Sequence, residues 1–139
     1  MPRPATSPAP EITLPASIRE AMIRHARWCE PQECCGLVAM DGSGRIRMAY
    51  PLTNAQASPT RFTIEPREHF GALMHAERNG WQIGGVFHSH PLGEPVPSAT
   101  DLAQPHDPGW VHLIVGLEPG PRIRAWWIRR GRPVEVPVG

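Results

Sequence analysis

Two histidines separated by one residue, His88 and His90, stand in the run GVFHSHPLGEPVPSATD, and ten residues intervene before Asp101. Imidazole nitrogen and carboxylate oxygen both suit a divalent metal ion. Three such ligands leave the fourth tetrahedral position of zinc open for water, which separates a catalytic site from a closed structural one. Zinc lowers the pKa of bound water to about 7, and manganese, iron or cobalt also tolerate these donors. Hydrolysis of an amide needs one more group, a carboxylate that takes the water's proton and passes it to the leaving amine. Glu30, Glu33, Glu65, Glu68 and Glu94 are the candidates. Glu33 stands out because it immediately precedes the apolar run CCGLVAM. At the entry of such a strand a carboxylate can lie beside another strand's end without deep burial. Ser98 falls at an expected helix start, where free N–H groups and the helix dipole favour negative charge. Its hydroxyl can steady a developing oxyanion.

The elements that must position these groups follow from periodicity. Ile18, Ala21, Met22, His25, Ala26 and Cys29 recur at spacings of three and four, which predicts a helix over 15–29 with Pro15 in its first turn. CCGLVAM and RIRMAYPL flank Asp-Gly-Ser-Gly and read as a hairpin turning at 41–44. A short strand is expected around 61–64. Pro66 then opens a helix with Phe70, Leu73, Met74 and Ala76 on its apolar side, stopped by Asn79-Gly80. WQIGGVFHSH is a strand that delivers the histidines to its C-terminal end. Alternation puts His88 and His90 on one face and Ser89 on the other. Ser98-Ala99-Thr100-Asp101 resembles a capping box. VHLIVGL is a buried strand, RIRAWWIRR a partly alternating one, and GRPVEVPVG a last edge strand or tail. This order predicts a mixed α/β (α+β) sandwich with a mainly antiparallel sheet flanked by helices.

Composition sets outer limits. A chain of 139 residues suits one domain, expected over 11–139 after a flexible lead-in, MPRPATSPAP, at 1–10. The net charge of +1 gives no field for nucleic acid or an anionic membrane. No apolar run approaches the roughly 20 residues of a membrane helix, and no secretory leader pattern is seen. Cys29, Cys34 and Cys35 are an odd count with two adjacent, which argues for a reducing cytoplasm over a disulfide framework.

Glu33-Cys34-Cys35-Gly36-Leu37, His88-Ser89-His90-Pro91, Ser98 and Asp101 together resemble the JAMM/MPN+ metalloprotease signature. Thr60-Arg61-Phe62 before a helix and Trp110 before an apolar strand fit the same frame, and the likeness spans roughly residues 14–130. The resemblance implies a cytidine-deaminase-like MPN fold and zinc held by His88, His90 and Asp101. It implies Glu33 as general acid/base and Ser98 as an oxyanion-stabilising or orienting group. It implies hydrolysis of a peptide or isopeptide bond at the C-terminal Gly-Gly tail of a ubiquitin-like or sulfur-carrier protein. Such a tail could pair with a sheet edge. The chain leaves little room for the insertions that grip a second ubiquitin in large family members, which favours a small carrier.

Other readings compete. A non-catalytic scaffold would lack a ligand or the glutamate, and none is missing. A different small-amide zinc hydrolase remains open; a phosphoesterase would more often show a second ligand set. Helix capping alone accounts for Ser98 and Asp101 and competes with the metal for the Asp101 carboxylate. Cys34 and Cys35 read as core, at least one of them. His25 and His75 read as packed or surface residues; His69, His106 and His112 have no partner at ligand spacing, and His106 reads as a loop residue that could border the cleft. Of Trp126 and Trp127, one is expected in the core and the other free to anchor a partner. Arg122, Arg124, Arg129, Arg130 and Arg132 form a basic edge, either solvated or docking an acidic surface.

Overall fold

The computed structural model describes residues 11–104 and 107–139. The expected lead-in at 1–10 and His106 lie outside them.

Six strands form one sheet in the order β2-β1-β3-β4-β5-β6. They are β1 (Cys35–Met40), β2 (Ile46–Leu52), β3 (Gln82–His90), β4 (Val111–Gly116), β5 (Arg122–Arg129) and β6 (Arg132–Val136). Only β3 and β4 pair in parallel; every other neighbour is antiparallel. The parallel pair needs a crossover, and residues 91–110 supply it through the short helix α3 (Ala99–Ala103). The mixed, mainly antiparallel sheet flanked by helices agrees with the sequence expectation.

Helix α1 (Ala16–Cys29) covers one face through Met22, Ile23 and Ala26, packed with Val38, Phe87, Leu113 and Val115. Pro15 is its N-cap, one residue ahead of the expected first turn, and Ala21 points to solvent while Ile23 is buried. Helix α2 (Pro66–Arg78) covers the other face, where Ala72 joins Leu37 and Val86. Its buried side is set by the small residues Ala72 and Ala76, whereas Phe70 and Leu73 are exposed. The expected apolar side holds at Ala76 and, half-buried, at Met74, while Phe70 and Leu73 turn outward: small side chains allow close approach to the sheet, so they take the interface. The strand expected around 61–64 is absent; only an isolated bridge joins Asn54 to Ile64. Among the described residues no helix is long and apolar enough to cross a membrane.

One glycine is required by packing at the site's base. A Cβ on Gly36 would lie 2.2 Å from the Phe87 ring and 2.3 Å from the Tyr50 carbonyl oxygen. Only hydrogen fits between β2 and β3 there.

Candidate metal centre

Register builds the site. In the antiparallel β1–β3 pair, Cys35 faces His88 and Leu37 faces Val86. Alternation from Cys35 puts Glu33, just ahead of β1, on the same face as His88 and His90. Ser89 points the other way, and its hydroxyl accepts the Cys34 N–H at 2.8 Å, while Ser89 N–H reaches the Cys34 carbonyl at 3.2 Å. These two bonds fasten the Glu33 segment to the end of the histidine strand. Asp101 arrives from α3. Its carboxylate accepts the Ser98 N–H at 2.9 Å and the Ser98 hydroxyl accepts the Asp101 N–H at 3.0 Å, so the capping box is complete.

Ligand atoms of Glu33, His88, His90 and Asp101 all lie within 4.8 Å of one another. Asp101 Oδ2 is 3.2 Å from His88 Nε2 and 3.0 Å from His90 Nε2, and the two Nε2 atoms are 3.3 Å apart. Glu33 Oε1 stands 3.8 Å from His88 Nε2. The Asp101 oxygen that caps α3 also faces the imidazoles, and a carboxylate oxygen has two lone pairs.

The donor set fits a metal ion. His90 Nδ1 lies 2.8 Å from the Glu94 carbonyl, which can only accept, so Nδ1 carries the hydrogen. The Nε2 lone pair of neutral His90 then points at a carboxylate oxygen. Three electron-rich atoms about 3 Å apart repel unless a proton or a cation sits between them. Ligands about 2.0–2.1 Å from a tetrahedral zinc would be roughly 3.3 Å apart. Glu33 Oε1 is buried with no hydrogen-bond partner among the described residues, an expensive arrangement for a carboxylate.

Burial shapes the titration. Glu33 is only 3% exposed, deeper than a strand-entry position suggested. Burial, reinforced by the Asp101 charge and partly offset by His90, pushes its carboxyl up to about 8. Burial alone would raise Asp101 too, but the bonds to His88 and His90 hold it well below the usual carboxylate range. Burial lowers His90, yet Asp101 and the Glu94 carbonyl outweigh it and the net shift is upward. The other glutamates are committed elsewhere. Glu94 pairs with Arg122 at 2.8 Å, Glu65 caps α2, and Glu68 accepts from Thr53. Glu30 is exposed.

A cleft of about 520 Å³ opens beside the cluster, walled by Pro59, Thr60, Pro91, Leu92, Gly93 and Thr100, with Glu33, His90 and Ser98 reaching into it. Phe62 stacks on His88 with ring centroids 4.6 Å apart and fixes that imidazole from above. A model of prokaryotic homologs of the JAB domain matches residues 15–129. The chain belongs to that family.

Relatives agree. The desampylase of Haloferax volcanii is 33% identical over 133 residues, covering 91% of this chain and 96% of its own. The CysO-cysteine peptidase of Mycobacterium bovis is 31% identical over 130 residues, covering 91% and 89%. The solved structure of protein DSY2949 from Desulfitobacterium hafniense is 38% identical with a TM-score of 0.84, covering 92% of this chain and 91% of that one. AF2198 of Archaeoglobus fulgidus, a JAB1/MPN domain protein, shares the fold at 21% identity and a TM-score of 0.58, covering 92% and 97%. The names of the first two relatives mark them as hydrolases, as expected from the signature.

Away from the centre, several expectations resolve in this JAB-family chain. Cys34 and Cys35 are both fully buried, and all three cysteines are free. His25 packs at the Cys35 carbonyl, and His75 meets the Tyr50 hydroxyl at 2.7 Å. His69, His112 and Asp107 line a second hollow with Trp110, and Asp101 and Phe62 of the centre border it as well. Neither adjacent tryptophan is a free anchor: Trp127 packs on the core, and Trp126 is buried with its N–H donated to the Pro95 carbonyl at 3.0 Å. The exposed tryptophan is Trp28, 87% accessible, which periodicity did not single out. Within the basic edge, Arg124 Nη2 pairs with Glu135 at 2.9 Å and Arg122 with Glu94, so part of its charge is neutralised. The centre lies at the ends of the interior strands β1 and β3, whereas the sheet edges are β2 and β6.

Proposed function

We propose that the chain is a zinc-dependent peptidase that hydrolyses the peptide or isopeptide bond at the C-terminal Gly-Gly tail of a ubiquitin-like or sulfur-carrier protein. One observation carries the reading: the buried Glu33 carboxyl, with no hydrogen bond at Oε1 among the described residues, converges on the His88–His90–Asp101 set at the floor of an open cleft. The names of the Haloferax and Mycobacterium relatives support the substrate class.

His88, His90 and Asp101 would hold the ion. When bound there, zinc would supply acidified water near neutral pH and Lewis-acid polarisation of the scissile carbonyl. Glu33 takes the water's proton at Oε1 and returns it to the departing amine. The Ser98 hydroxyl already accepts the Asp101 N–H, which leaves its own hydrogen to donate to the developing oxyanion. Walls of Pro59, Thr60, Leu92 and Gly93 suit a tail without bulky side chains. A reducing cytoplasm suits three unbridged thiols.

The test uses a purified carrier protein extended past its Gly-Gly tail by an amino acid or joined to a lysine, with products read by mass spectrometry. The parent releases the carrier with a free Gly-Gly terminus. Glu33→Ala binds zinc with unchanged stoichiometry and loses hydrolysis. Wild-type turnover by Glu33→Ala would remove Glu33 from its role. A zinc-loaded parent inert on every such carrier conjugate would refute the substrate class.

A further inference from the structure

Asn54 lies in the segment between β2 and α2, and nothing in its sequence context marks it. Its side chain makes four hydrogen bonds. Nδ2 donates to the Glu33 carbonyl at 3.1 Å and to the Arg61 carbonyl at 2.8 Å. Oδ1 accepts the Gln56 and Thr63 N–H groups, both at 3.0 Å. A primary amide has two donor hydrogens and two acceptor lone pairs, so every valence is used. The partners also fix its orientation, because the carbonyls only accept and the N–H groups only donate.

The acceptor end folds the 54–63 loop onto itself. The donor end ties that loop to the backbone of Glu33. A second tie runs from the Glu33 N–H to the Ser58 carbonyl at 2.8 Å. The same loop carries Phe62 onto His88 and Pro59 and Thr60 onto the cleft. One amide therefore couples the backbone of the proton-transfer residue to the wall that faces the substrate. None of its four bonds reaches β3 or α3, which carry His88, His90 and Asp101.

We propose that Asn54 is a positioning residue for Glu33 and the cleft wall: its saturated amide holds both in register with the metal-ligand set. The proposal rests on Glu33 acting as general acid/base, as argued above. Small displacements of a proton-transfer group are costly in rate, about a hundredfold for roughly 1 Å. The metal ligands, standing on other elements, would be left in place.

The experiment compares Asn54→Asp, Asn54→Ala and Gln56→Ala with the parent. Asn54→Asp keeps the shape and replaces a donor by an acceptor; Asn54→Ala removes the amide without adding charge. Gln56→Ala removes a bond to Thr63 within the same loop and spares the Glu33 tie. Both Asn54 variants should lose about tenfold to a hundredfold in kcat. KM and zinc Kd should stay within about threefold of the parent, and amide exchange at Glu33 and across the loop should accelerate. Gln56→Ala should keep parental kcat. Unchanged kcat in both Asn54 variants overturns the proposal. So does zinc affinity falling in step with kcat, a loss confined to the Asp variant, or an equal loss in Gln56→Ala. If Asn54→Ala fails to fold, Asn54→Ser takes its place under the same criteria. If the parent proves inert on carrier conjugates, the substrate assignment fails separately. Amide exchange then decides: acceleration at Glu33 in the Asn54 variants upholds the tie, and parental exchange overturns it.

Discussion

Glu33→Gln in metal-free protein isolates the energetic consequence of burying a carboxylate beside two imidazoles. Glutamine matches the protonated acid in shape, so both proteins should be equally stable at low pH. The folded Glu33 carboxyl is pushed from its usual 4.5 up to about 8. Between those values the unfolded chain has released the proton while the folded chain retains it. Stability therefore falls as pH rises through that window and levels off above it. At about 1.36 kcal/mol per pH unit the full shift would amount to roughly 4–5 kcal/mol. Solvent screening and local relaxation reduce this to about 2–3 kcal/mol. The Asp101 shift has the opposite sign, with stability lost toward low pH, but both proteins share it and it cancels in the difference. The assay is thermal unfolding of chelator-treated parent and variant from pH 5 to pH 9. The variant should gain on the parent steadily with pH, reaching about 6–10 °C in Tm near pH 9. Curves that stay parallel across this range would refute the reasoning, because they would mean that burial leaves the folded carboxyl near its unfolded value.

Further outcomes follow from the same geometry. Zinc in hundredfold excess over its Kd should stabilise the chelator-treated parent by about 2.7 kcal/mol, read as a Tm shift, and Asp101→Asn should weaken zinc binding by tenfold or more in a competition titration. Ser98→Ala should cost about 1 kcal/mol of stability through the lost cap of α3 and lower kcat about a hundredfold, with KM little changed. Gly36→Ala should destabilise the fold by about 3 kcal/mol in a denaturant titration, since the Tyr50 carbonyl, 2.3 Å from the new Cβ, is backbone and has nowhere to move.

The His88–His90–Asp101 cluster was legible because it is local. His88 and His90 share a strand, and Asp101 returns through a short proline-stiffened loop, so spacing alone brings the three together. The hairpin over 35–52 and the stop at Asn79-Gly80 were legible for the same reason: turn chemistry acts within a few residues. Less was legible where neighbours decide. The strand expected around 61–64 failed because Asn54 takes the Arg61 carbonyl and the Thr63 N–H that a ladder would have used. On α2 the buried side was legible at Ala76 and not at Phe70, because the sheet admits only small side chains at close approach.

Residue types and short spacings by themselves determined that this chain carries a His-His-Asp cluster able to hold a metal ion, a capped helix start at Ser98 and a glutamate ahead of a buried strand. They could do so because ligand chemistry, helix capping and strand alternation act over a few residues. Only the tertiary structure decided that Glu33 reaches that set at 3.8 Å and that burial holds its proton to near-neutral pH. Only the fold revealed the Asn54 amide that ties Glu33 to the cleft wall. Glu33 and His88 lie 55 positions apart, joined by the register of β1 against β3. The dielectric around a carboxylate depends on everything packed about it, which the order of residues along the chain does not state.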